Sequence, residues 1–344
     1  MPASAAANIL LCLLGFIVVC CRLSGRIMII LGVLYQTREV NAHMMAACFS
    51  CPRQCGAQRA QQAGACGVGE RIQVARAALH HWEEPCISGI QGSGTVFFTG
   101  CSLGCVFCQN HAISQQPLPE QYREVTWEGL ARIFQRLEAA GAHNINLVNP
   151  THMVPLILPV LLARPVAIPV VYNSGGYDAI TALHTLEGLV DVYLPDMKYA
   201  NDKLALTYSN AADYVTHNRA AVLEMVRQVG APQFDAQGMM VRGVMIRHLV
   251  LPGMMENTLD VLSWIHDHLP GKVYVSLMAQ YTPLFRAFEY PKIARTLTRR
   301  EWERVLGHME ALGMVNGFVQ EMSSADEGFV PMFGGFGVMD GDCL

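Results

Sequence analysis

From residue 95 to near Gln320 the chain alternates short β-type apolar runs with amphipathic stretches. Thr95–Thr99, Asn144–Val148, Val166–Tyr172, Val190–Leu194, Val241–Leu251 and Lys272–Met278 predict six strands. Between the first two, Trp127–Ala140 carries Leu130, Ile133, Phe134 and Leu137 at i, i+3, i+4 and i+7, one face of a helix. Further helices are predicted over Tyr177–Leu189, Ala211–Val229, Thr258–His268 and Arg299–Leu312. Strands alternating with helices predict an α/β fold built on a parallel sheet.

The flanks differ. Residues 1–40 form an apolar extension in which Arg22 and Arg26 divide two runs, Ile9–Cys21 and Ile27–Tyr35. Neither run reaches the roughly 20 residues of a spanning helix. No positive charge precedes the first, so a secretory signal is disfavoured. The extension is expected to be dispensable upstream of Met28 or Met44, or a peripheral anchor, and the protein cytoplasmic. Residues 41–90 form a Cys-rich lobe whose one expected helix is Gln73–Trp82. Residues 91–322 form the α/β unit. Residues 323–344 are read as a loose Gly-rich tail, and Gly334-Gly335-Phe336-Gly337 lacks the strand–helix context of a phosphate loop.

Composition narrows the function. The 344 residues are 52% hydrophobic and 15% charged, and a net charge of -4 argues against a nucleic-acid partner. Twelve cysteines are too unevenly spaced for a small disulfide scaffold, and the grouping of seven of them points to metal. Cys101, Cys105 and Cys108 form a C-x3-C-x2-C run directly after the first strand. Four-iron clusters normally take four Cys, so three thiolates leave one iron open to a chelating ligand. Gly100 and Gly104 let the backbone fold tightly, and Phe107 offers an apolar wall. Zinc completed by His111 is the alternative. Cys48, Cys51, Cys55 and Cys66 make a second group, sufficient for tetrahedral zinc or a closed four-iron cluster, with a structural or electron-relaying role. His80-His81-Trp82-Glu83-Glu84 is a polar patch, either a solvated helix end or one wall of a substrate entrance.

The cysteine run, with an aromatic residue before its last Cys, resembles the radical S-adenosylmethionine superfamily. The order of downstream segments resembles its glycyl-radical-enzyme activating branch, in particular homologues of pyruvate formate-lyase activating enzyme. That resemblance implies an incomplete (β/α)6 barrel, a [4Fe-4S] cluster on Cys101, Cys105 and Cys108, and S-adenosyl-L-methionine chelated to the open iron. It also favours metal in the N-terminal lobe. It implies that one electron splits the sulfonium and that a 5′-deoxyadenosyl radical abstracts hydrogen, with a glycine of a partner protein as target and a flavodoxin or ferredoxin as electron donor.

Several segments carry the resemblance further. Asn149-Pro150-Thr151 stands where relatives hold the cofactor amino group with a carboxylate, a departure that leaves the side-chain oxygens of Asn149 or Thr151 for that role. Asn173-Ser174-Gly175 resembles a turn near the ribose, and Asp196-Met197-Lys198 the charged end of strand four. Arg247-His248 with the following Leu249–Gly253 resembles strand five, and Gln280 lies where a polar residue closes over the adenine. Taken alone, Asp196 and Lys198 make an ordinary ion pair, and His248 an ordinary hydrogen-bonded histidine. The rival functions are modification of another peptide or small molecule, an electron-transfer iron–sulfur protein, and a zinc-binding regulatory module.

Overall fold

A computed structural model describes residues 22–23, 26–27, 47–115, 117–322 and 331–344. The main sheet contains β1 (Ile72–His80), β2 (Ser93–Phe98), β3 (Arg123–Val125), β4 (Ile145–Val148), β5 (Val170–Ser174), β6 (Val192–Pro195), β7 (Met240–Leu249), β8 (Tyr274–Met278) and β9 (Gly317–Val319). Their spatial order is β9-β8-β7-β6-β5-β4-β2-β1-β3. Along this order all neighbours from β2 to β9 are parallel, a tenth short strand, Gln233–Phe234, pairs antiparallel with β7, and β1 and β3 add antiparallel at the β2 edge. The parallel strands follow chain order without reversal, so their C-terminal ends gather on one rim, the arrangement in which strand-end residues meet.

The helices of six residues or more are α1 (Trp127–Ala139), α2 (Val154–Ala163), α3 (Ile180–Thr185), α4 (Asp202–Ser209), α5 (Tyr214–Val229), α6 (Met255–His268) and α7 (Arg299–Ala311). In α1 the expected stripe of Leu130, Ile133, Phe134 and Leu137 is buried, and burial of each such side chain contributes about 1.5–3 kcal/mol. Thr126 caps α1 by accepting from the Gly129 N–H at 2.9 Å. The predicted Ala211–Val229 helix is shorter than expected and follows a separate α4, because Asn210 takes a left-handed φ of 52° that ends α4.

Two expectations are corrected. Gln73–Trp82 is not a helix, because residues 72–80 form β1, which pairs with β2 from Val74↔Phe98 to His80↔Ser93 with a bulge at Val74/Arg76. An Ala-rich segment with good helix propensity is drawn into a strand because the β2 edge offers it a row of backbone partners. Within the tail, the described residues 331–344 are not loose either. Gly335 N–H donates to Ala75 O at 2.8 Å, Ala77 N–H to Phe336 O at 2.8 Å, and the Arg76 guanidinium lies 4.6 Å from the Phe336 ring centre. The buried Asp342 carboxylate accepts from Arg136 and Arg132 on α1.

Among the described residues no helix is long and apolar enough to cross a membrane. The apolar runs at Ile9–Cys21 and Ile27–Tyr35 lie outside the described residues, apart from Ile27.

Candidate functional site

The loop after β2 carries Cys101, Cys105 and Cys108. Gly100 starts it at φ 73°, where a Cβ would sit 2.4 Å from Cys66 O, so glycine is required by both conformation and space. The end of α4 pins the loop: Gly104 N–H donates to Ser209 O at 3.0 Å and Val106 N–H to Tyr208 O at 2.9 Å. Each sulfur has a polar neighbour. Leu103 N–H donates to Cys101 Sγ at 3.3 Å, Ser209 Oγ lies 2.9 Å from Cys105 Sγ, and Ser114 Oγ lies 3.2 Å from Cys108 Sγ. Burial, reinforced by Cys105, pushes the Cys101 thiol up to about 12 and the Cys108 thiol up to about 11. Burial also raises Cys105, against the pull of Lys198. Burial thus opposes deprotonation of all three thiols.

Beside the loop, at the strand ends, opens a cavity of about 480 Å³ lined by Cys105, Phe107, Cys108, Asn173, Asp196, Lys198, Arg247 and Gln280, among others. Arg247 organises its floor. Its Nε donates to Asp196 Oδ1 at 3.0 Å, Nη1 to Glu83 Oε2 at 3.2 Å and Nη2 to Asn173 Oδ1 at 2.6 Å. Asn173 Nδ2 returns a bond to Glu83 Oε1 at 3.3 Å, and Lys198 Nζ donates to Asp196 Oδ2. Burial opposes ionisation of Asp196, but Lys198 and Arg247 outweigh it and hold the carboxyl below its ordinary range. Burial dominates at Glu83 and raises it, despite Arg247. Two acids and two bases thus meet on one wall, which can present both charges to a zwitterionic ligand.

The sequence candidates divide. Cys105, Cys108, Asn173, Asp196, Lys198, Arg247 and Gln280 line the cavity. Asn149 is turned to the cysteine loop, with φ 58°, its Nδ2 donating to Gly100 O at 2.6 Å and its Oδ1 3.5 Å from Cys101 Sγ. Thr151 and Ser174 are not brought to the cavity: Thr151 Oγ1 and Tyr172 Oη donate to Asp178 Oδ1 at 2.6 and 2.9 Å, and Ser174 Oγ donates to Asp178 Oδ2 at 2.6 Å. His248 is fully buried between Met197 O at 2.6 Å and Thr258 Oγ1 at 3.0 Å, and burial lowers it to about 4. Residue 248 points to the opposite face from Arg247, as strand alternation demands.

Two acids escaped the sequence reading as site residues. Asp178, buried under three hydroxyl donors, shows in sequence only as the Asp after a Gly-Gly-Tyr turn. Glu83 lay in the polar patch, and His80, His81, Trp82 and Glu83 do line the cavity, from the end of a strand and the turn after it.

In the N-terminal lobe Cys48, Cys51 and Cys66 are buried and Cys55 is exposed. Backbone bonds fold the coil round them, with Cys48 N–H to Ala57 O and Gly56 N–H to Cys48 O, both at 3.0 Å. The lobe docks on the cysteine loop, because Cys101 N–H donates to Cys66 O at 3.1 Å and Arg53 Nε to Ser102 O at 2.7 Å. Among the described residues no three His, Cys, Asp or Glu side chains converge on a single-ion position. A cubane differs, because each thiolate binds its own iron and the sulfurs stand further apart. His111 does not complete an ion site with the thiols; its Nδ1 lies 3.2 Å from Cys108 O and its ring stacks on Phe285 at 4.8 Å.

No family model matches the chain. It is 31% identical over 275 residues, 78% of this chain and 75% of the relative, to the uncharacterized protein MJ0674 of Methanocaldococcus jannaschii. Among solved structures it is similar to Streptococcus suis SuiB bound to S-adenosylmethionine, at TM-score 0.45 and 13% identity over 64% of this chain and 48% of that one. The chain thus spans about half the length of SuiB. A radical SAM methyltransferase from Sphaerobacter thermophilus is similar at TM-score 0.45 and 14% identity, over 71% of this chain and 74% of that one.

Proposed function

This chain belongs to the family of the Methanocaldococcus jannaschii protein MJ0674, and we propose that it is a radical S-adenosylmethionine enzyme in which Cys101, Cys105 and Cys108 hold a [4Fe-4S] cluster. The observation that carries the reading is the three-thiol loop opening onto the Glu83–Asn173–Asp196–Lys198–Arg247 wall. The donor set suits the group: three soft thiols on one loop, whose deprotonation burial opposes and bound iron would drive. When bound, a site-differentiated cluster supplies one electron to the sulfonium of chelated S-adenosylmethionine, and the resulting 5′-deoxyadenosyl radical abstracts a hydrogen atom.

The chain's own part is positioning. Lys198 and Arg247 offer donors to a carboxylate, and Asp196 and Glu83 accept from an ammonium or from ribose hydroxyls. Phe107, packed edge-on to Tyr281 at 5.9 Å, gives the loop an apolar wall. Asn149 holds the loop at Gly100, and α4 holds it at Gly104 and Val106. The parallel strands form an incomplete barrel in this reading, and the protein works in a reducing cytoplasm with a low-potential donor such as a flavodoxin or ferredoxin. Its substrate class, carried by the Asp196-Met-Lys198 and Arg247–Gly253 resemblance, is a glycine of a partner protein; a different peptide or small molecule is the rival.

An electron carrier has no need of the cavity wall, which counts against that alternative. Anaerobic reconstitution with iron and sulfide, reduction with dithionite and chromatography for 5′-deoxyadenosine tests the reading. Product is expected from the native chain and none from Cys105→Ala. A native chain that assembles a cubane, yet whose spectrum ignores S-adenosylmethionine and which makes no 5′-deoxyadenosine, refutes it.

A further inference from the structure

We infer that Cys48, Cys51, Cys55 and Cys66 hold a second iron–sulfur cluster, with Arg59 as its counter-cation, that relays electrons to the Cys101 site through the Cys66–Cys101 contact. Cys51 lies within electrostatic reach of Cys48, Cys55 and Cys66, and two of the four sulfurs face one small volume. A Cβ built at Gly64 would lie 3.4 Å from Cys55 Sγ and 3.5 Å from Cys66 Sγ, so both sulfurs face the same point beside that glycine. Into the same volume reaches Arg59, 3% exposed, with Nη2 3.7 Å from Cys66 Sγ. Its Nε and Nη1 are buried without a hydrogen-bond partner. A guanidinium in that condition is strongly unfavourable unless an anion accepts from it. Four thiolates and bridging sulfides supply both the negative charge and the acceptors.

The geometry argues against a single ion. Zinc requires four sulfurs at about 2.3 Å from one point, and among the described residues no three such side chains converge in that way. A cubane spreads its thiolates over four irons.

The route follows from burial and docking. Cys55 is the exposed ligand, facing a donor protein, while Cys66 lies on the inner side and accepts the Cys101 N–H at 3.1 Å. One electron passes from a low-potential iron–sulfur or flavin protein to the lobe cluster and then to the Cys101 cluster. No bond forms or breaks and no proton moves. Only this second half rests on the proposed function; the presence of the lobe cluster does not.

The test uses the full chain, reconstituted anaerobically, with Cys101, Cys105 and Cys108 all replaced by Ala. Iron, sulfide and zinc analysis should give about four irons and four sulfides per chain, against about twice that in the native protein. Dithionite should produce a cluster resonance that S-adenosylmethionine leaves unchanged. Zinc in place of iron, or no metal, overturns the inference without touching the Cys101 site. Conversely, a lobe cluster in this variant beside a native chain unresponsive to S-adenosylmethionine sinks the proposed function alone. Arg59→Met should lower the lobe cluster's reduction potential, with Arg59→Lys restoring it in part; an unmoved potential removes Arg59 from the site. With Cys48, Cys51, Cys55 and Cys66 replaced by Ala, dithionite should still reduce the remaining cluster, but reduction by a flavodoxin should slow by an order of magnitude or more. Equal flavodoxin rates with and without the lobe cysteines overturn the relay.

Discussion

Arg247 Nε donates to Asp196 Oδ1 at 3.0 Å, joining the ends of the adjacent parallel strands β6 and β7 at the cavity floor. The same guanidinium serves Glu83 and Asn173, so one side chain ties together three of the other four residues of the wall.

Replacing Arg247 with Met should leave Glu83 and Asp196 facing only Lys198. Stability should fall by about 3 kcal/mol, the low end for breaking a buried ion pair, as read by urea denaturation. S-adenosylmethionine affinity, measured calorimetrically on the reconstituted protein, should fall by about tenfold or more, equivalent to 1.4 kcal/mol. Unchanged affinity would remove Arg247 from the binding wall.

Asp178→Ala strips the shared acceptor from Thr151, Tyr172 and Ser174. Leaving buried hydroxyls unpaired costs about 1–3 kcal/mol each, with incomplete additivity. A loss of at least about 3 kcal/mol in denaturant is expected. A loss within experimental error would show that these hydroxyls find other partners.

At Gly100, alanine meets Cys66 O at 2.4 Å in a left-handed conformation. The lobe should separate from the cysteine loop, raising hydrogen exchange at Cys66–Gly67 and Cys101–Ser102 before the β-sheet is affected. Gly67→Ala is a contrasting control: its φ is also positive, but nothing lies near the new Cβ. It should strain the turn and leave the docking intact.

His248 supplies a pH prediction. Its folded value is lowered to about 4, mainly by burial, from an ordinary 6.5. Protons are therefore taken up preferentially by the unfolded chain as pH falls. The contribution to stability is full above about 6.5 and is lost progressively down to about 4. His248→Gln should flatten the stability profile of the metal-free protein within that window by about one proton's slope. A profile identical to that of the native chain would show that His248 is charged when folded.

Local chemistry made much of this legible. The six expected strands recur in order because their apolar runs are buried on both faces, and Cys101, Cys105 and Cys108 follow the first because the turn residues are local to the motif. Asp196, Lys198 and Arg247 converge because parallel strands in chain order bring their ends to one rim. Thr151, Ser174 and His248 stand beside those ends in sequence, where cofactor contacts are expected. Strand alternation and the buried Asp178 carboxylate turned them inward instead.

The sequence alone determined the periodicity of each segment, the spacing of its thiols and the positions of its charges, since these depend on neighbours in the chain. Tertiary structure decided the rest. It made residues 72–80 a strand by giving them the edge of β2 to pair with, and it bound the tail through Asp342 to Arg132 and Arg136. It also brought Glu83 to Arg247, 164 positions along the chain. Contacts of such separation depend on which surfaces meet when the core closes, and a one-dimensional pattern does not specify that meeting.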